Sequence, residues 1–158
     1  MDAFDQKILA VIQEDGGLSN AEIAERVGLS PTPCWRRIRN LEDAGVIRRR
    51  VALLDRGKLN VGVTVFVSVR TNQHNQEWLD RFAAAVAAIP EIVDFYRMAG
   101  EVDYLLRVVV PDIAAYDGVY KRLIAAVDIF DVSSTFAMEE IKSTTALPLT
   151  YVKDRPSG

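Results

Sequence analysis

Histidine and cysteine are almost missing from this sequence, with one of each in 158 residues. The single cysteine, Cys34, excludes an intrachain disulfide framework and suits a reducing compartment. The single histidine, His74, lies in a polar stretch with no histidine or cysteine nearby, which leaves no metal-ligating set and little for acid–base chemistry. Gly-x-Gly-x-x-Gly, Gly-Lys-Ser/Thr and Ser/His/Asp arrangements are also absent, so neither an enzyme nor a bound cofactor is expected. No apolar run approaches the ~18–20 residues needed to cross a bilayer, and no membrane partner is expected. The start, Met1-Asp2-Ala3-Phe4-Asp5, carries acids where a signal peptide needs bases, which points to the cytoplasm. Excess positive charge is lacking as well, the net charge being −3.

That average hides an asymmetry. Residues 1–58 hold ten bases against nine acids, whereas the remainder carries a net charge of −4. Arg36, Arg37, Arg39, Arg48, Arg49 and Arg50 crowd one segment that contains only Glu42 and Asp43 as acids. Screening limits fields to roughly 10 Å, so a local basic patch suffices for phosphate contact on an acidic protein. Two modules with different partners are implied.

Phe4, Ile8, Leu9 and Ile12 follow helical spacing up to Asp15-Gly16-Gly17. Ser19 followed by Glu22 is a capping box for a second helix that Gly28 ends in a left-handed position. A third helix then starts at Ser30, with Ser30 placed to cap it and Pro31 at its first position. At 100° per residue, Cys34, Ile38 and Leu41 form one apolar stripe. Thr32, Arg36, Arg39 and Asn40 fall opposite, with Trp35 and Arg37 on the flanks. Arginine pairs bidentately with guanine and asparagine with adenine, so this face suits a DNA major groove. On the helix alone, a solvated basic surface remains the alternative. Helix, glycine turn and basic helix together make a helix-turn-helix, in which Thr32, Arg36, Arg39 and Asn40 are assigned to base edges and Arg37 to phosphate. Trp35 is placed at the boundary. Val46 to Leu54 reads as a strand or wing whose Arg48, Arg49 and Arg50 touch phosphates, a charged edge strand being the alternative. This module is set at residues 1–52, with residues 53–61 as linker.

Residues 62–152 carry a βαββαβ pattern, with alternating valines from Val63, helices around Trp78–Ile89 and Ile113–Val127, and strands at 92–99, 104–110 and 132–138. A short fifth strand is expected within 146–152. The class is therefore α+β: an N-terminal winged helix-turn-helix and a C-terminal ferredoxin-like (ACT-like) sandwich domain. Strand residues such as Phe66, Phe95 or Tyr96, Leu106 and Phe136 place apolar groups on both sheet faces. One helix layer covers one face, so face-to-face pairing of two copies is expected.

Leu18-Ser19-Asn20-Ala21-Glu22-Ile23-Ala24, Leu29 to Ile38, Leu41 to Ile47 and Met98-Ala99-Gly100-Glu101-Val102-Asp103-Tyr104-Leu105-Leu106 together resemble the Lrp/AsnC (feast/famine) transcriptional regulators, over nearly the whole chain. Ser134 to Lys142 fits that family's last strand. The resemblance implies a regulator of double-stranded DNA that dimerises, with tetramers or octamers above that, and binds a small amino acid between subunits. Trp35 and Arg97 to Gly100 look closest to a subgroup that includes cysteine-detoxification regulators, which implies cysteine or another small amino acid as effector. The implied effector site comprises Met98, Ala99, Gly100, Glu101, Val102, Asp103 and Tyr104, with Ser133, Ser134 and Thr135 added from the last strand. Backbone N–H groups of the Gly100–Val102 turn suit a carboxylate and Asp103 suits an ammonium. Read from the residues alone, Gly100 and Asp103 also serve as an ordinary tight turn, with Tyr104 in the core. The sirohaem decarboxylases share the two-module build, but their chemistry leans on a set of histidines and basic residues around a tetrapyrrole, a set that the C-terminal half, with His74 as its one histidine, does not show. A ligand-binding dimer without DNA contact is the other rival, against which the six arginines speak.

Overall fold

A computed structural model describes residues 1–153, which form two compact units. The first comprises residues 1–53 and the tail from Lys142. Its helices are α1 (Ala3–Glu14), α2 (Asn20–Val27) and α3 (Pro31–Asp43). Asp2 caps α1 in a second capping box, its side chain accepting from Phe4 and Asp5 N–H while Asp5 accepts from Asp2 N–H. Ile8, Leu9, Ile23, Ala24, Val27, Cys34, Ile38 and Leu41 close one core between the three helices.

Two expectations fail here. Residues 48–55 form no strand, and among the described residues no second strand pairs with them to complete a ladder. Residues 146–152 add no fifth strand either; a single 3-10 turn occupies Leu149–Tyr151. The tail docks on α1 instead. The Gln13 side-chain amide donates to Leu147 O (3.3 Å) and accepts from Leu147 N–H (2.6 Å), and Leu149 packs against the helical core. A carboxamide offers the same donor–acceptor pair as a peptide unit, so Gln13 replaces the missing neighbour strand. By compactness the tail from Lys142 groups with the first unit, and the second unit runs to Ile141.

The second unit, residues 54–141, contains β1 (Val63–Arg70), α4 (Gln76–Ala87), β2 (Ile92–Arg97), β3 (Tyr104–Val110), α5 (Ile113–Ala126) and β4 (Asp131–Phe136). The sheet order is β2-β3-β1-β4 with every pair antiparallel, the ferredoxin-like arrangement. Pairing Val67 with Leu106 and Ser134 sets the register, so Val65, Val67, Val69, Leu106, Val108 and Val110 face Trp78, Phe82, Val86, Val119 and Leu123 of the helices. Each such burial contributes roughly 1.5–3 kcal/mol. The same register turns Phe66, Ser68, Tyr96, Leu105, Ser133 and Thr135 to the open face, where Arg107 pairs with Asp94. Phe95 and Leu106 face the helices, and Phe136 stacks edge-on against Tyr116, so the open face is less apolar than the sequence suggests. β4 ends at Phe136, which leaves Met138 98% exposed rather than on a strand.

Candidate functional site

The helix-turn-helix is built from local rules that the backbone obeys. The Ser19 hydroxyl accepts from Glu22 N–H (3.3 Å) and the Glu22 carboxylate from Ser19 N–H (2.7 Å). Gly28 takes φ +74°, the left-handed turn that ends α2 and lets α3 begin three residues later. Asn20 Nδ2 donates to Pro31 O (2.8 Å), tying the start of α2 to the first turn of α3.

On α3, Cys34, Ile38 and Leu41 are buried, while Thr32, Trp35, Arg36, Arg39 and Asn40 are exposed together. Trp35, undecided from helical phase, is 55% exposed and belongs to this outer face. Arg39 lies 3.4 Å from Glu42 and Arg50 3.8 Å from the same carboxylate; these are loose, exposed contacts of small energy. Burial pushes the Cys34 thiol up, away from the reactive thiolate.

Two features of α3 differ from what its sequence suggests. Ser30 is the N-cap by backbone geometry, yet its side chain makes no capping bond. Pro33 occupies the third helical position and so removes one of the two N–H groups that a capping hydroxyl can bind. Arg37, expected at phosphate, is paired within its own unit. Its Nη1 lies 2.7 Å from Asp2 and 2.8 Å from Asp5, and its guanidinium lies 5.6 Å from the Phe4 ring centre. Sequence phase places Arg37 on a flank but does not reveal that two capping acids of α1 stand beside that flank. Arg48, Arg49 and Arg50 are exposed on a segment without regular secondary structure.

In the second unit the β2–β3 connection forms a polar loop. Met98 N–H donates to Asp103 O (2.8 Å), and Gly100 adopts φ +131°, which only glycine tolerates readily. A Cβ at Gly100 would meet nothing within 4 Å, so backbone conformation and not crowding selects glycine there. Asp103 Oδ2 accepts from Thr71 N–H (2.8 Å), which anchors the loop to the end of β1. Asp103, Tyr104, Met98, Arg97, His74, Asn75 and Gln76 border a polar concavity of about 150 Å³. A larger concavity of about 850 Å³ lies in the first unit between α1, residues 46–53 and the tail, but it is mostly apolar and holds none of the expected zwitterion-binding groups. The small polar one fits a small amino acid's chemistry better.

Sequence reasoning missed Arg97, His74 and Gln76 at this rim, because they approach Asp103 only through the fold. Of the expected effector set, Tyr104 is 6% exposed, its ring packed among Trp78, Phe82 and Phe95, and it also lines the small polar concavity beside Asp103. Ser134 points to the helices and hydrogen-bonds Tyr116, whereas Ser133 and Thr135 face the opposite way. Alternation along a strand makes three consecutive hydroxyls on one face impossible. β1 also separates β4 from β3, so within one chain Ser133 and Thr135 stand roughly 10 Å from β3. Met98, Ala99, Gly100 and Glu101 are exposed; Val102 is half-buried. Among the described residues no helix is long and apolar enough to cross a membrane, and no group of three metal-ligating side chains occurs.

Comparison with known proteins joins the two units. Residues 1–48 match the winged helix-turn-helix DNA-binding model and residues 64–147 the Lrp/AsnC ligand binding domain. The chain is 49% identical over 150 residues to the DNA-binding transcriptional activator DecR of Escherichia coli (strain K12), covering 94% of this chain and 99% of DecR. An AsnC family transcriptional regulator from Agrobacterium tumefaciens, solved by crystallography, shares 64% identity with a TM-score of 0.94, over 97% of this chain and all of that one. A Neisseria meningitidis transcriptional regulator solved as its L-Met complex shares 41% identity with a TM-score of 0.90, over 95% of this chain and 97% of that one. A capped helix-turn-helix with a basic face, carried with a ferredoxin-like ligand-binding unit, therefore places this chain in the Lrp/AsnC family of transcriptional regulators.

Proposed function

We propose that α3 reads double-stranded DNA in the major groove, in a homodimer whose two helices address half-sites about one helical turn apart. Thr32, Arg36, Arg39 and Asn40 supply the base contacts, with the freed Ser30 hydroxyl and Trp35 at the edges of the footprint. Arg48, Arg49 and Arg50 grip phosphates without reading sequence. The observation that carries this reading is the single exposed face formed by Thr32, Trp35, Arg36, Arg39 and Asn40 on a helix locked to its neighbours by Asn20 and a glycine turn.

The effector is a small amino acid bound at the β2–β3 loop, cysteine being the first to test. Its carboxylate meets the backbone N–H groups of Gly100–Val102 and its ammonium meets Asp103, with Met98, Ala99 and Glu101 as the exposed rim. Arg97 offers a second carboxylate partner. Ser133 and Thr135 contribute from a second copy, since in one chain they stand too far from the loop. The L-Met bound by the Neisseria regulator supports an amino acid as the ligand class. The open sheet face carrying Phe66, Tyr96 and Leu105 pairs two copies, and dimers assemble further into tetramers or octamers. The protein works in the cytoplasm, where DNA and free amino acids meet.

A thermal-shift screen of the intact chain against all twenty amino acids tests the sensor. A ligand selective for the folded state raises the midpoint with concentration. A mobility-shift titration of duplex DNA with and without the best ligand tests the coupling; no shift with any amino acid refutes the sensor reading.

A further inference from the structure

Four carboxylate oxygens at the start of α1 are each committed. Asp2 Oδ1 accepts from Phe4 N–H (2.9 Å) and Asp5 N–H (3.0 Å), and Asp5 Oδ2 accepts from Asp2 N–H (3.0 Å). The remaining two, Asp2 Oδ2 and Asp5 Oδ1, both bind Arg37 Nη1. The capping box of α1 is therefore also a preformed acceptor for one arginine from the middle of α3, with the Phe4 ring beside the guanidinium. Asp5 and Arg37 keep only 18% and 30% of their side-chain surface in solvent, so this pair is better shielded than the other arginine contacts of α3.

We infer that Arg37 is a positioning residue, latching α3 to the first turn of α1 and so setting the attitude at which the DNA-reading face meets the groove, and that it makes no phosphate contact. The inference rests on the reading that α3 enters the groove. Two arguments carry it. A phosphate approaching Arg37 would also approach two carboxylates, and the repulsion offsets the attraction. The latch also adds a tether at the middle of α3 to the Asn20–Pro31 bond at its start, where Ser30 makes no side-chain cap. Arg36 and Arg39, one turn apart on the exposed face, depend on that attitude for simultaneous base contact.

The test uses the intact chain, the best-bound duplex from in vitro selection and a random duplex of equal length, titrated over a salt series. Arg37→Met and the isosteric double change Asp2→Asn/Asp5→Asn are compared with the unchanged protein, each checked by thermal melting. The expected result is that both lower the ratio of selected to random binding by about tenfold or more, the discrimination of one good base contact. The salt slope on random DNA should stay unchanged in Arg37→Met. In the double Asn variant it should steepen, because Arg37 is released toward phosphate. This slope does not move if the residues merely stabilise the fold. An Arg37→Met slope flattened by about 0.9 with equal loss on both duplexes identifies a phosphate contact and overturns the latch. Selection that returns no preferred sequence for the unchanged protein refutes groove reading by α3, and the latch's role falls with it.

Discussion

Gly28 and Gly100 make a matched pair for testing where the ligand sits. Both have positive φ, +74° and +131°, and at both a Cβ would meet nothing within 4 Å. Alanine therefore introduces strain without a clash. At Gly28 the left-handed conformation costs a non-glycine residue about 1–2 kcal/mol. The stiffer unfolded chain returns about 0.4–1 kcal/mol, so Gly28→Ala should lose about 0.5–1 kcal/mol. Gly100 lies outside the left-handed helical well, where strain is about 1–3 kcal/mol, so Gly100→Ala should cost its unit about 1–2 kcal/mol after the same correction. A unit of this size loses roughly 4–8 °C of melting midpoint per kcal/mol. The two variants should then part. Gly28→Ala should retain the amino-acid-induced thermal shift in full. Gly100→Ala should lose it, because the added methyl enters space that the chain itself leaves open and the ligand's carboxylate needs. Denaturant unfolding gives the stability cost, and the thermal shift with the best amino acid gives the response. An unperturbed response in Gly100→Ala refutes the proposed ligand position. Unchanged stability in both refutes the strain reasoning.

Further outcomes follow from other sites. Arg36→Ala should reduce preference for the selected DNA, whereas Arg49→Ala should weaken selected and random DNA alike and flatten the salt slope by about 0.9; equal behaviour of the two variants rejects the division between base and phosphate contacts. Asp103→Ala should abolish the amino-acid response while basal DNA binding persists, and an unchanged response rejects the pocket. Tyr104→Phe should keep that response, since the ring is core, while Tyr104→Ala should destabilise its unit by about 3–5 kcal/mol. The Asp5 N–H holds the Asp2 carboxyl below its ordinary range, Ser19 does so for Glu22, and Arg122 for Glu91. Depressed values mean that this stability is complete above the unfolded carboxylate range near 4 and drains away as pH falls through the folded values, which acid titration by circular dichroism reads directly. Cys34 should react with a thiol reagent only after denaturation; rapid labelling of the folded chain would contradict its burial.

Where neighbours in sequence are also partners in space, the chain could be read directly. The Ser19–Glu22 box, the Gly28 turn and the Cys34–Ile38–Leu41 stripe all lie within a few residues of one another, and the structure reproduces them. The six elements of the ferredoxin-like unit were legible for the same reason, since period two and period 3.6 are local signals. What escaped depends on distant partners. Arg37 looks like its neighbouring arginines until Asp2 and Asp5 are brought to it across more than thirty residues. Residues 146–152 have the composition of a strand, but a strand exists only beside another, and Gln13 supplies the pairing instead. Ser133, Ser134 and Thr135 read as one hydroxyl cluster until the register with β1 divides them between faces.

The two prolines that open α3 have an electrostatic consequence. A helix ordinarily begins with four backbone N–H groups that lack partners inside it, and these make its N-terminus a ready cradle for anions. Pro31 and Pro33 delete two of the four around Ser30–Pro33, and the next N–H, from Cys34, is already bonded to Ser30 O. The end of α3 is thus a weakened anion receptor. DNA backbone attraction has to come from guanidinium groups on flexible stems, which follow the phosphates without fixing register. Registration is left to the groove-facing side chains, and any sequence preference of this regulator must be written in them.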